Sequence, residues 1–423
     1  MAVLEFIVYD LLSQAGILIG LLAFIGLVLQ KKPADKVISG TIKTIVGFLI
    51  FGIGSTAAQG ALTGLQTLFS EAFGLQGVTP ISEAITAQAQ TVFPTVIAWI
   101  MIGGFACNLI VARLTPFKYV FLTGGHSLFL SALLAIMLKA LGLDDVPAII
   151  IGSIIHGVAA AVYPAIAQKS MNAVTGSDNI AIGHYCTLAY ALSGWLGSKV
   201  GKPEESTEEI ELPGWLGIFR DYIVSVTLSI GVIFYIAAVV AGQGAVEAIS
   251  GGQHWLIYPL MQTLTFAGGL YVIVTGVRLF LGELVPAFVG LSKKLIPGVK
   301  PALDCPVVFP YAPTAVILGF ISAYAAGLIC MVVMAALHTT VIIPVAIPYF
   351  FIGATAGVFG NARGGWKGCI VGAFVTGILI AVGPAIIYPI MESVGLSGTS
   401  FPETDFNLIG IVFNFIGTAL GKW

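Results

Sequence analysis

Long apolar runs separated by short polar connections occupy almost the whole chain. Eleven are long enough to cross a bilayer, at about 6–29, 37–58, 94–112, 119–141, 146–167, 221–241, 254–280, 313–335, 339–360, 368–390 and 406–421. A hydrocarbon core of about 30 Å takes about 20 helical residues per crossing. Only helices and closed barrels satisfy the backbone in lipid, and these runs lack the alternation of barrel strands. The pattern therefore predicts an all-α integral membrane protein. Two stretches read differently. In 61–76, Leu62, Leu65, Leu68, Phe69 and Phe73 lie against Gln66 and Glu71; in 281–296, Leu284, Phe288, Leu291 and Leu295 lie against Glu283, Lys293 and Lys294. Both predict amphipathic helices lying at the interface.

Composition agrees. The 423 residues are 58% hydrophobic and 9% charged, with a mean hydropathy of +1.02, far more apolar than a soluble core requires. A net charge of −2 without a basic tail gives no reason to expect nucleic acid. Cys107, Cys186, Cys305, Cys330 and Cys369 lack paired spacing and read as reduced apolar fillers, with no metal site and no cofactor expected. The first run lacks the basic flank and cleavage site of a signal peptide, so it is expected as a retained helix.

The connections set an orientation. Lys31, Lys32 and Lys36 follow the first span, and Arg113 and Lys118 the third; Lys169, Lys199, Lys202 and Arg220 separate the fifth from the sixth. Arg278, Lys293, Lys294 and Lys300 follow the seventh, Arg363 and Lys367 the ninth, and Lys422 the last. The other connections hold Asp144, Asp145, Glu247, Glu392, Glu403 and Asp405, with Lys139 as the nearby cation. Cations mark the cytoplasmic side, so the N-terminus is expected outside and the C-terminus inside.

A short motif occurs twice. Gly77-Val78-Thr79-Pro80-Ile81-Ser82-Glu83 is echoed by Gly298-Val299-Lys300-Pro301-Ala302-Leu303-Asp304, and Val92-Phe93-Pro94 by Val308-Phe309-Pro310. The copies follow the second and seventh spans. Spans 1–5 and 6–10 then read as two inverted repeats of five, with the eleventh helix an addition, and the echoed motifs as re-entrant hairpins. Matched breaks in two membrane halves point to a transporter's binding site.

Asp304 is a carboxylate placed inside the membrane by this reading, which makes it a ligand candidate; the alternative is a cap on a half-helix. Glu83 is its positional twin. His126 lies among small residues at the start of span 4, and His184 in the semi-polar run 178–197; both could donate to a hydroxylated solute or serve as packing residues. Ser55 sits in a glycine-rich patch that suits helix packing. His156, His254 and His338 read as structural.

Five motifs in order resemble a known family: Gly40-Thr41-Ile42-Lys43-Thr44-Ile45-Val46-Gly47-Phe48, Leu122-Thr123-Gly124-Gly125-His126, Ile182-Gly183-His184, Leu212-Pro213-Gly214-Trp215-Leu216-Gly217-Ile218-Phe219 and Gly357-Val358-Phe359-Gly360-Asn361. Together they resemble the L-ascorbate-specific enzyme IIC of the bacterial phosphoenolpyruvate:sugar phosphotransferase system. The resemblance implies a homodimer in the bacterial inner membrane and elevator-type movement. It implies a V-shaped dimerisation domain (1–60 with 221–280), a substrate-binding core (77–200 with 298–390), amphipathic linkers (61–76 and 281–296) and an extra helix (406–421). Vitamin C would enter and leave as its 6-phosphate, with phosphate donated by a separate IIB protein that IIA charges. The implied ligand residues are Ser55, Ala84, Ile85, His126 through Leu130, His184, Tyr185 and Asp304. Leu130 and Tyr185-Cys186-Thr187 stand where the family has glutamines. No side chain of this chain is expected to carry phosphate, because its cysteines fall in spans or hairpins. The competing readings are a permease for another sugar or polyol such as galactitol, an ion-coupled secondary transporter, and a non-transporting scaffold or receptor.

Overall fold

The structure, a computed structural model, describes residues 15–73, 78–210, 222–294, 296–344 and 348–422. It is mostly helical, with two small parallel sheets buried among the helices. Among the described residues, Ala34–Gly54, Pro94–Leu114, Asp145–Thr175, Pro313–Ala336 and Tyr349–Ser393 are long and apolar enough to cross a bilayer. Large apolar side chains such as Ile38, Ile42, Ile53, Ile110, Val332 and Phe415 are exposed along the helices. That suits a surface facing lipid rather than water.

Helices α1 (Ala15–Leu29) and α2 (Ala34–Phe73) pack with α8 (Tyr222–Ala241) and α10 (Ile257–Lys294), with α9 (Gln243–Ile249) against α8. Here one expectation is corrected. Residues 61–73 and 281–294 are not separate interfacial helices but continuations of α2 and α10, which run for 40 and 38 residues. Gly64 lies at the contact of α2 with α10, where a Cβ would meet the Tyr258 hydroxyl at 2.5 Å. Ala61, Leu65 and Leu68 are buried beside it in the same core.

The second group comprises α3 (Ser82–Val92), α4 (Pro94–Leu114), α5 (Gly124–Ala140), α6 (Asp145–Thr175), α7 (Thr187–Val200), α11 (Pro313–Ala336), α12 (Ala354–Ser393) and α13 (Thr404–Ala419). Of the runs expected as full crossings, one begins with a strand and another with extended residues that form an isolated bridge. Residues Tyr119–Phe121 are β2, leaving α5 only 17 residues. Residues 341–343 are extended, and helix resumes at Tyr349–Gly353, a π-helical turn leading into α12. That merged helix breaks at Gly364 and at Gly365, whose φ of 60° suits only glycine. The break separates the expected ninth and tenth spans at Arg363–Lys367.

The strands are exchanged between the halves of the chain. Strand β4 (Lys300–Leu303) is the centre of one sheet, paired in parallel with β2 and with β3 (Ala181–Ile182). Strand β1 (Thr79–Pro80) pairs with β5 (Thr399–Ser400), and Val78 exchanges backbone hydrogen bonds with Val341 and Ile343. Each echoed motif thus pairs with two segments of the opposite half, β4 as the centre of its sheet and 78–80 through β5 and an isolated bridge to Ile342. In element order, α13 follows β5 as α7 follows β3.

Candidate functional site

Both sheets end where helices begin, and the site lies at those ends. The ladder of the first sheet continues past its strands: Leu122 N–H donates to Ala302 O at 3.0 Å and Gly183 N–H to Leu303 O at 2.6 Å. Gly183 is required there, since a Cβ would lie 2.4 Å from the Ala302 carbonyl oxygen. The Thr123 hydroxyl, at the start of α5, donates to Gly183 O at 2.6 Å. These bonds bring His126, His184 and Asp304 together from three segments. At the start of β4 Lys300 pairs with Asp178 at 2.5 Å. That hydrogen bond holds the Asp178 carboxyl below its ordinary range.

His126 is the centre of the cluster. Its Nε2 lies 3.7 Å from an Asp304 carboxylate oxygen, and its Nδ1 lies 3.8 Å from Glu403. The His184 ring meets it edge-on, with centroids 4.1 Å apart. The Tyr190 hydroxyl, from the first turn of α7, is 3.1 Å from His184 Nδ1 and 3.1 Å from Cys305 Sγ. It occupies that nitrogen, leaving Nε2 for a ligand. Asp304 also accepts from Cys305 N–H at 2.7 Å, capping the short 3₁₀ turn Cys305–Val307. It is therefore both a cap and a member of the cluster, with 24% of its side chain exposed.

Glu403 is only 3% exposed, and the Ser82 hydroxyl donates to its carboxylate at 2.5–2.7 Å. This corrects the expectation of an acidic outer loop: Glu403 and Asp405 are both buried. The reason is β5, which carries residues 399–400 onto β1 and delivers the following turn to the cluster. Asp405 accepts from Thr187 N–H at 2.8 Å, the Thr187 hydroxyl at 2.6 Å and Leu188 N–H at 3.1 Å. The residue preceding α7, Cys186, supplies no side-chain cap, so Asp405 caps α7 from the far end of the chain. Ligand atoms of His126, His184 and Glu403 lie within 4.8 Å of one another, as do those of His184, Asp304 and Cys305, so either set is close enough to hold a metal ion.

The other candidate ligand residues lie elsewhere or beyond description. Leu130 and Ile85 are fully buried in the core. The Tyr185 ring is also buried, stacked on Phe121 at 4.5 Å and packed against Phe406 at 4.9 Å. The side chains of Ser55, Ala84 and Glu83 lie outside the described residues.

Residues 10–405 match the EIIC-GAT family, described as the PTS system sugar-specific permease component. The chain belongs to this family. The permease is also 26% identical over 426 positions to the ascorbate-specific PTS system EIIC component of Mycoplasma pneumoniae. That alignment covers 88% of this chain and 64% of the relative, so the permease spans about two thirds of that protein's length. Family and apolar helices together make it a multi-pass membrane protein.

Ser82, Tyr190, Glu403 and Asp405 lie in or beside the His126 cluster, and sequence reasoning did not single them out as site residues. The available signal was repeat position. Ser82 lies inside the first echoed motif, and Glu403 follows β5 as His184 follows β3.

Proposed function

We propose that this permease takes up L-ascorbate by phosphorylation-coupled group translocation across the bacterial inner membrane. The observation that carries the proposal is the convergence of His126, His184 and Asp304, on three separate segments, at broken backbone within an apolar protein. Imidazoles suit the enediol of ascorbate and a carboxylate suits its hydroxyls. The Mycoplasma relative, named for ascorbate, supports the same choice. In this reading the halves are inverted repeats, the N-terminus is outside and the protein is a homodimer. Its core, 77–200 with 298–390, moves as an elevator against the helices of 1–60 and 221–280. Phosphate passes directly from phospho-IIB, itself charged by IIA, to bound ascorbate.

In the acidic loop after α7, which could help to dock that donor, two of the acids also hold the loop in place. Glu205 pairs with Lys367 at 3.2 Å. Glu208 accepts from Thr314 N–H and hydroxyl at 2.9 Å, capping α11. Asn361, from one of the resembling motifs, accepts from Thr207 N–H at 2.8 Å. The loop is a strap across the ends of α11 and the Gly364–Gly365 break, with Glu204 and Glu209 left exposed.

A second reading is favoured by the two carboxylates flanking His126. Paired acids suit a neutral polyol such as galactitol better than the ascorbate anion. Uptake of labelled ascorbate, with galactitol as competitor and with IIA and IIB present or omitted, separates the two. The expected result is phosphorylated ascorbate accumulating only with both donors, also in a variant lacking all five cysteines. Accumulation of unmodified solute driven by a Na⁺ or H⁺ gradient would make the protein a secondary transporter. Radioactive phosphate trapped on the permease would reveal a covalent relay.

Asp304→Asn is expected to weaken ascorbate binding by about 1.5–3 kcal/mol, the worth of a charge-assisted hydrogen bond. Calorimetric titration of the purified variant checks this, and unchanged affinity would reduce Asp304 to the cap on Cys305.

A further inference from the structure

We propose that Tyr190 is a positioning residue that fixes the tautomer of His184, keeping the ring proton on Nε2 so that His184 donates to the solute. The assignment rests on the permease reading above. It adds a preference for a solute oxygen that only accepts, such as the enolate oxygen of the ascorbate anion.

A neutral imidazole has one N–H and one bare nitrogen, and the bond made by either nitrogen decides what the other offers. His184 is held at Nδ1, 3.1 Å from the Tyr190 hydroxyl. Among the described residues Nε2 has no protein partner, and unlike His126 Nδ1 it is not sealed off. Nε2 is therefore the nitrogen that a solute meets.

The direction of the Tyr190 bond follows from what else the phenol touches. Its oxygen also lies 3.1 Å from Cys305 Sγ, and it has one proton to give. A bare imidazole nitrogen accepts well, whereas thiol sulfur is a weak acceptor. The hydroxyl therefore donates to Nδ1, and the thiol faces the lone pairs of the phenol oxygen. With Nδ1 occupied as an acceptor, the ring proton stays on Nε2.

Tyr190 is well placed to hold this arrangement. It is fully buried in the first turn of α7, its ring packs on Phe359 with centroids 5.4 Å apart, and its N–H donates to Cys186 O at 2.9 Å. Cys305 opens the 3₁₀ turn that Asp304 caps. One phenol thus reaches the segment after β3 that carries His184 and the segment after β4 that carries Asp304.

The tautomer matters for selectivity. Ligand atoms of Asp304 and of Glu403 each lie within 4.8 Å of one on His184. An anionic oxygen entering beside two carboxylates needs a donor, and a bare Nε2 would add another lone pair facing it. A polyol hydroxyl both donates and accepts, so it would tolerate either tautomer.

The test combines a spectrum with a pair of ligands. Permease carrying isotope-labelled histidine is reconstituted in lipid for solid-state nitrogen NMR, with His184→Gln identifying the His184 signals. Wild type and Cys305→Ala are expected to show Nε2 protonated and Nδ1 bare, and Tyr190→Phe a mixture of tautomers. The wild-type spectrum decides the tautomer even if Tyr190→Phe fails to fold. The same proteins are titrated with ascorbate and with its enol methyl ether, in which the charge is capped. Tyr190→Phe should bind ascorbate about 2- to 10-fold more weakly, the worth of one neutral hydrogen bond, with a smaller loss for the ether. An Nδ1–H signal from His184 in wild type, or an equal loss for both ligands in Tyr190→Phe, would overturn the assignment and leave the permease reading standing. Wild type that binds neither ligand overturns the ascorbate reading and this role of His184 with it.

Discussion

Gly183→Ala is expected to abolish substrate binding and to lower the melting temperature of the permease, although it adds a single methyl group. Most added methyls are accommodated by a moving side chain, but this one meets backbone: the Ala302 carbonyl oxygen at 2.4 Å and the Leu303 nitrogen at 2.9 Å. Strand β3 would have to lift from β4, breaking the 2.6 Å bond from Gly183 N–H to Leu303 O and the Thr123 tie to Gly183 O. Overpacking of this kind costs about 1–3 kcal/mol and more when backbone must shift. The functional cost is larger, because His184 follows Gly183 directly and a 1 Å displacement removes it from His126. Gly60→Ala is the control, since its Cβ would meet nothing within 4 Å inside helix α2. It should be neutral or slightly stabilising. Thermal unfolding in detergent and ligand titration check both variants. Wild-type binding by Gly183→Ala would show that β3 does not position His184.

Asp405→Ala is expected to destabilise the permease by about 3–5 kcal/mol, since three donors lose their acceptor and each orphan costs about 1–3 kcal/mol. Thr187 N–H, the Thr187 hydroxyl and Leu188 N–H all point at this carboxylate, and Asp405 N–H donates in return to Tyr185 O at 2.9 Å. The loss is a large fraction of the 5–15 kcal/mol that separates most folded domains from the unfolded chain. Asp405→Asn keeps the shape and one acceptor oxygen, so it should fall between wild type and Asp405→Ala. Urea or thermal unfolding followed by tryptophan fluorescence ranks the three. Equal stability of all three would mean that water replaces the cap and that the two helix starts are not interlocked.

Much of this arrangement was legible in the sequence. The echo at 77–83 and 298–304, expected as re-entrant hairpins, falls on β1 and β4, and Asp304, His126 and His184 stood out because polar groups are rare in such a chain. What the sequence hid has physical causes. Tyr119-Val120-Phe121 and Val341-Ile342-Ile343 are apolar and β-rich, and a short buried strand cannot be told by periodicity from the first turn of a membrane helix. Residues 61–73 carry an amphipathic stripe whether they lie on a bilayer or continue a helix. Phe401-Pro402-Glu403-Thr404-Asp405 follows two glycines of positive φ, Gly395 and Gly398, and has the composition of an exposed turn. Its burial depends on Ser82 and Thr187, partners too distant for any local pattern to reveal.

That distance bears on how the protein is made. Ser82 and Glu403 are separated by 321 positions, and β1 pairs with β5 across nearly the same interval. Synthesis delivers the N-terminal half first. While the ribosome is still translating the second half, the strand at 78–80 has no partners and the cluster lacks one of its acids. The first half must therefore wait in the membrane with an open strand edge, an invitation to mispairing with a neighbouring chain. The nascent permease is most dependent on the insertion machinery during that interval, and the segment 399–405 ends it.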